Sequence, residues 1–135
     1  MSYDKPLPRQ DDFLMAPFWE NARKHKLSVQ HCRSCGDRHF PPSPVCPACL
    51  SEDQDWITVS GKAKLVSWVT FHRAYWDGFA SQLPYDVCLV QLDEGPILLS
   101  NFLGKSPPGL KEGFALHVAF DDVTEKVTLP KFVAA

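Results

Sequence analysis

Four cysteines within eighteen residues are the part of this chain best equipped for chemistry. They read Cys32-Arg33-Ser34-Cys35 and, ten residues later, Cys46-Pro47-Ala48-Cys49. A two-residue spacer lets one tight turn aim both sulfurs at a single ion while the turn's amides hydrogen-bond the thiolates. Two such knuckles joined by a short hairpin complete a closed tetrahedral four-thiolate site. Gly36, directly after Cys35, suits a knuckle that needs a positive φ there; Leu50 stands at the matching place after Cys49, so the second knuckle departs from that pattern. Zinc is favoured, in a structural role, because four protein ligands leave no open position for water. Spacing alone leaves iron open as the ion, which would make the chain a red electron carrier. Two unrelated pairs or a redox dithiol are the metal-free alternatives. Disulfides are the weaker expectation. Met1-Ser2-Tyr3-Asp4-Lys5-Pro6 has no apolar stretch of a secretory signal, and no apolar run approaches the roughly 20 residues of a membrane span. A soluble, cytoplasmic chain is therefore expected, where disulfides rarely persist. A ribbon of about thirty residues cannot bury enough apolar surface to fold alone, and a structural zinc contributes on the order of 10–16 kcal/mol of coupled binding and folding.

Other chemistry is sparse. The chain has no nucleophile elbow, no phosphate-cradling glycine loop and no dinucleotide fingerprint. The fifth cysteine, Cys88, lies inside the apolar run Val87–Val90 and reads as a small core hydrophobe; a nucleophile beside His72 or His117 would need a lowered thiol pKa. Asp86 and Asp93-Glu94 read as strand-end and turn carboxylates. Two surface features are candidates for binding. The connection Arg73-Ala74-Tyr75-Trp76-Asp77-Gly78-Phe79 carries three aromatics and an arginine where a solvated loop would be polar. Arg73, Tyr75, Trp76 and Phe79 could form a partner or acyl contact, stack on a base, or fold back as a lid over the barrel end. Arg23, Lys24 and Lys26 could meet a few phosphates of a nucleotide-bearing cofactor, or form an ordinary solvated helix end. Charge weighs against a polynucleotide. Fourteen basic residues face sixteen acidic ones, a net charge of −2, and neither half of the chain is basic.

The elements that must position these residues are legible in outline. Residues 1–12 are polar and proline-bearing, an extended tail. From Ala16 to Lys26 the pattern is helical, with Pro17 suited to the first turn and Arg23, Lys24 and Lys26 to the last. Leu27–Gln30 alternates as a strand, and Phe40-Pro41-Pro42-Ser43-Pro44 is a stiff return to the second knuckle. The acidic stretch Ser51–Asp55 marks a boundary. Beyond it strands are expected at Trp56–Ser60, Ala63–His72, Tyr85–Leu92, Ile97–Leu103, Phe114–Phe120 and Val127–Leu129, separated by glycine-bearing or polar turns. About five main strands with one long early strand suit a small closed barrel, most economically an OB-fold. The division is a tail and helix over 1–26, a metal ribbon over 27–56 and a barrel over 57–135.

The ordered set Phe18-Trp19-Glu20, Cys32-x-x-Cys35-Gly36, Phe40-Pro41-Pro42, Cys46-Pro47-x-Cys49, Ser60-Gly61, Leu92-Asp93-Glu94-Gly95-Pro96 and Leu129-Pro130-Lys131-Phe132 resembles the domain of unknown function 35 family, and the likeness runs from residue 17 to 132. The resemblance implies a mainly β protein: an N-terminal helix, a rubredoxin-like zinc ribbon and a C-terminal five-stranded OB-fold barrel. It implies Cys32, Cys35, Cys46 and Cys49 as zinc ligands. It further implies a non-catalytic subunit of a hetero-oligomer with a thiolase-like enzyme, or another enzyme of CoA thioesters such as an aldolase or hydratase. There the subunit would help to form a channel for CoA and its acyl chain, with acyl-CoA shared between the two. A nucleic-acid-binding zinc-ribbon and OB-fold module is the alternative by fold analogy alone.

Overall fold

Among the described residues two antiparallel sheets and one α-helix share one core, with a short 3-10 helix in a connection. The computed structural model describes residues 4–9 and 11–135; Met1, Ser2, Tyr3 and Gln10, part of the expected tail, lie outside the described residues. The first sheet has the order β2-β1-β3, with β1 at Ser28–Cys32, β2 at Arg38–His39 and β3 at Gln54–Thr58. β1, the middle strand, is the most buried of the three although Ser28, Gln30 and His31 are polar, and five register pairs from Ser28↔Thr58 to Cys32↔Gln54 fix it against β3. This sheet carries Cys32 at its end. Its third strand runs on to Thr58, starting two residues before the expected strand.

The chain then turns at Gly61, where φ is +83° and a Cβ would lie 2.3 Å from the Val118 Cγ1. Only glycine meets both demands. Beyond it the second sheet has the order β6-β5-β4-β7-β8, with β4 at Lys62–Phe71, β5 at Tyr85–Leu92, β6 at Ile97–Ser100, β7 at Ala115–Asp122 and β8 at Thr128–Ala134. A bulge between Leu65 and Ser67 bends the long strand β4. The sheet curls until the chain just after β6 meets β8 through a parallel bridge, Phe102↔Phe132, with the Leu103 amide donating to the Phe132 carbonyl at 3.0 Å and the Phe132 amide to Asn101 at 3.0 Å. This parallel closure completes the five-stranded OB-fold.

β8 is longer than expected, Thr128–Ala134 in place of Val127–Leu129, and it contains Pro130. The bonded pairs of the β7–β8 ladder run through Val123–Val127 and Ala115–Ala135, so they alternate away from Phe120↔Pro130. Pro130 therefore sits where an N–H would point away from β7, and the ladder loses nothing.

The helix α1, Ala16–Arg23, buries Phe18 and Ala22. One buried cluster joins Phe18, the ribbon residues Leu27 and Val29, and the barrel residues Leu65, Val90 and Phe132. α1 is three residues shorter than expected because His25 adopts φ +58°. The amide of His25 donates to Ala22 and that of Lys26 to Asn21, at 2.8 and 2.9 Å, a Schellman ending with histidine where glycine is usual. Stacking on Phe120 at 5.1 Å and a hydrogen bond with Asp122 at 3.0 Å hold His25 there.

Candidate functional site

The two Cys-x-x-Cys turns have one geometry. In the first, the Gly36 amide donates to the Cys32 carbonyl at 2.9 Å with Gly36 at φ +81°; in the second, the Leu50 amide donates to the Cys46 carbonyl at 2.8 Å with Leu50 at φ +66°. Leucine thus occupies the left-handed position that the sequence pattern assigns to glycine. The knuckles bring all four sulfurs within 4.8 Å of one another, with Cys32–Cys49 and Cys35–Cys46 each at 3.6 Å. A tetrahedron with metal–sulfur bonds of about 2.3 Å has edges of about 3.8 Å, so the cage has the size zinc requires. Backbone amides point at the sulfurs, among them the Ala48 N–H to Cys46 Sγ at 3.3 Å.

The protonation chemistry of three of the thiols points the same way. Amides of Cys35 and Ser34 donating to its sulfur hold the Cys32 thiol down at about 6, against the opposing effect of burial. At Cys35 the Asp37 amide pulls downward, but burial and the neighbouring thiols outweigh it and push the group up to about 12. Cys49 is likewise raised, the Ser51 amide being outweighed by burial and the sulfurs around it. The cage accepts one thiolate readily and resists the next. A divalent ion among the sulfurs removes that resistance, and the donor set fits it. Cys32, Cys35, Cys46 and Cys49 would hold the ion, and its contribution is structural because the four sulfurs close the coordination shell.

The stiff return between the knuckles is tied in by side chains. The Gln30 side-chain Oε1 accepts from the Ser43 backbone amide at 2.8 Å and from His39 Nε2 at 2.7 Å, and the Gln54 side-chain Nε2 donates to the Ser43 backbone carbonyl at 2.9 Å. On the outer side His31 and Arg33 bond Asp55, and those contacts, His31 first, keep the Asp55 carboxyl below its ordinary range.

The other candidates from the sequence fall in three places. In the 73–84 connection a short 3-10 helix, Asp77–Gln82, folds Phe79 back so that its ring stacks on Tyr85 at 5.0 Å, and Tyr85 stacks in turn on Phe71 at 5.2 Å. Tyr75 and Trp76 stay exposed, and the Arg73 guanidinium lies over the Tyr75 ring at 5.4 Å. The loop is thus half lid, half surface. Arg23 and Lys24 line an open groove of about 600 Å³ together with Glu20, Asp122 and Glu125, so three carboxylates face two cations there; Lys26 is exposed outside it. Cys88 is fully buried, and burial pushes its thiol up to about 11, while His72 and His117 are exposed. It is a core thiol.

Two features escaped sequence reasoning. An apolar groove of about 290 Å³ opens between α1, the β6 end and β8, lined by Met15, Trp19, Phe40, Leu99, Leu129 and Pro130 among others. Beside it the outer face of β4-β5-β6 carries Val69 opposite Val87, and Leu89 opposite Leu99, with Ile97 next along β6. Leu99 is 75% exposed and Val69 55%. Bonded pairing of β5 with β6 runs through Leu92–Pro96, so the backbone groups of Ile97 and Leu99 point away from β5 to an open strand edge. Val87–Val90 is apolar on both faces, so the sequence does not mark which side is outward; the exposure of Leu99 and Val69 does. Among the described residues no helix is long and apolar enough to cross a membrane.

Comparison with known proteins matches two family descriptions in tandem. Residues 19–54 match "ChsH2, rubredoxin-like zinc ribbon domain" and residues 56–121 match "ChsH2, C-terminal OB-fold domain". A DUF35 domain-containing scaffold protein of Pyrococcus furiosus is 35% identical over 111 residues, covering 82% of this chain and 77% of that protein. The chain belongs to the DUF35 family. A probable enoyl-CoA hydratase alpha subunit of Thermomonospora curvata is 33% identical over 116 residues, 85% of this chain but 36% of that protein. This DUF35 chain therefore spans about a third of the hydratase subunit's length. The solved structure named "Ltp2-ChsH2(DUF35) aldolase" superimposes with a TM-score of 0.79 at 30% identity, over 95% of this chain and 97% of that one. The zinc ribbon and OB-fold of the family descriptions are matched by the two sheets of the present structure, which α1 precedes.

Proposed function

We propose that this DUF35 chain is a non-catalytic, zinc-binding accessory subunit that docks on and supports an enzyme of acyl-CoA thioesters. Hydratases and aldolases are the partner classes named among its relatives, and a thiolase-like enzyme is the class implied by the family resemblance. The observation that carries the reading is the uncovered apolar face of β4-β5-β6, with the open β6 edge and the adjoining groove. Such a surface is costly for a chain that works alone and ordinary for one half of an interface. The catalytic apparatus belongs to the partner. The groove beside Trp19 and Leu99 is wide and apolar enough to lie along an acyl or pantetheine chain, with Tyr75, Trp76 and Arg73 as a second contact. The ribbon braces α1 against the barrel so that both surfaces keep their places.

The test is co-expression with a CoA-thioester hydratase or aldolase of the same organism. A stable complex is expected, with partner turnover that depends on this chain, and Leu99→Asp should weaken the complex at least tenfold while leaving zinc content unchanged. Robust hydratase, aldolase or thiolase turnover by the isolated chain overturns the proposal.

A further inference from the structure

The N-terminal segment before α1 packs against one barrel loop and lines an open groove with a second. At the first, Gly78 leaves no room for a side chain: a Cβ there would lie 2.3 Å from the Asp4 carbonyl oxygen and 2.8 Å from its carbon. Gly78 does not need glycine for its own backbone, since its φ lies outside the left-handed region. The requirement comes from the close approach of residue 4. Next to it the Lys5 ammonium lies 5.3 Å from the centre of the Phe79 ring, with the side chain only 14% exposed. Phe79 is therefore held between Lys5 and Tyr85. At the second loop Leu7 and Pro8 line a groove with Val123–Val127, the turn joining β7 to β8. Four residue steps reach at most about 14 Å, so one short segment ties these two distant connections together. Pro6 and Pro8 stiffen it, which lowers the entropy lost in lying down.

Those two connections, the first strand to the second and the fourth to the fifth, flank the place where OB barrels take extended ligands. We propose that residues 4–9 are an intramolecular ligand of this barrel: they bridge the 73–84 connection and the β7–β8 turn, and by pinning Gly78 and Phe79 they present Tyr75 and Trp76 as a preformed outward contact pair. The inference deepens the reading of the 73–84 connection as a partner surface and gives the N-terminal tail a positioning role. It also means that an extended ligand seeking the flanked cleft must first displace the chain's own segment.

Gly78→Ala tests it, since the added methyl meets the Asp4 backbone and the backbone at 78 tolerates alanine. The readouts are amide exchange over 77–82 and tryptic cleavage after Arg9, with exchange in β5 as the reference. Exchange at 77–82 and cleavage after Arg9 should each rise at least tenfold while β5 stays protected. Unchanged exchange and cleavage overturn the proposal. If Gly78→Ala loosens β5 as well, the double variant Lys5→Ala, Leu7→Ala decides, because it trims only the segment. Raised exchange at 77–82, reversed by adding a peptide of residues 1–12, supports the proposal; native-like exchange overturns it. None of these readouts involves a partner enzyme, so failure here is distinguishable from failure of the proposed function.

Discussion

Leu50 is the residue whose replacement should improve this protein. Its φ of +66° places a branched L-side chain in the left-handed region, in a knuckle otherwise superimposable in its hydrogen bonding on the one that holds Gly36 at +81°. The conformation costs an L-residue about 1–2 kcal/mol. Leu50→Gly removes that strain, and the extra freedom of glycine in the unfolded chain takes back about 0.4–1 kcal/mol. The side chain is 72% exposed, so little burial is lost. The net expectation is a gain of about 0.5–1 kcal/mol. Folding of the ribbon and metal binding are one equilibrium, so the same gain appears as zinc affinity two- to fivefold tighter. Gly36→Ala is the mirror experiment. No atom lies within 4 Å of the added Cβ, so its loss, about 1 kcal/mol or more, reports backbone strain alone. Both variants are to be titrated with a competing zinc chelator and melted with zinc bound. A Leu50→Gly chain that binds zinc more weakly than the native one, or a neutral Gly36→Ala, refutes the argument. Exposed and strained, Leu50 would then owe its place to some contact outside the isolated chain.

Two further outcomes follow from the ribbon and the helix end. Removing zinc with a strong chelator should abolish amide protection in β1 and β3 before the β7–β8 ladder, checked by hydrogen exchange, because a ribbon of about thirty residues buries too little apolar surface to hold β1 and β3 together without the ion. Asp122 is held below the ordinary carboxylate range by the Thr128 hydroxyl, at 2.5 Å, and then by His25. A depressed carboxyl stabilises the fold above its unfolded value near 4 and loses that contribution as pH falls through the folded value. Asp122→Asn should therefore lower Tm at neutral pH, with the difference from the native chain closing as pH drops below about 4.

Much of this protein is written locally. The two Cys-x-x-Cys pairs, the positive φ after the first and the turn glycine at 61 are properties of a few neighbouring residues, and each is found in the structure where its local chemistry puts it. Where sequence reasoning fell short, a distant partner decided. α1 stops at Arg23 because Phe120 and Asp122, almost a hundred residues away, hold His25 in a left-handed turn. β8 continues through Pro130 because the register with β7 turns that missing N–H outward. Leu50 takes a glycine's conformation because the metal cage closes only if both knuckles match. Arg23 and Lys24 read as a cationic patch in the sequence, yet the fold brings Asp122 and Glu125 up beside them. The apolar face around Leu99 and the clasp at Gly78 depend on which strands lie side by side and which segments approach within van der Waals contact. Propensity and motif act over a few residues, so they fix the two cysteine knuckles and most of the strands. Register, closure and the neighbours of a surface arise only when the whole chain packs, and they determine what this protein can touch.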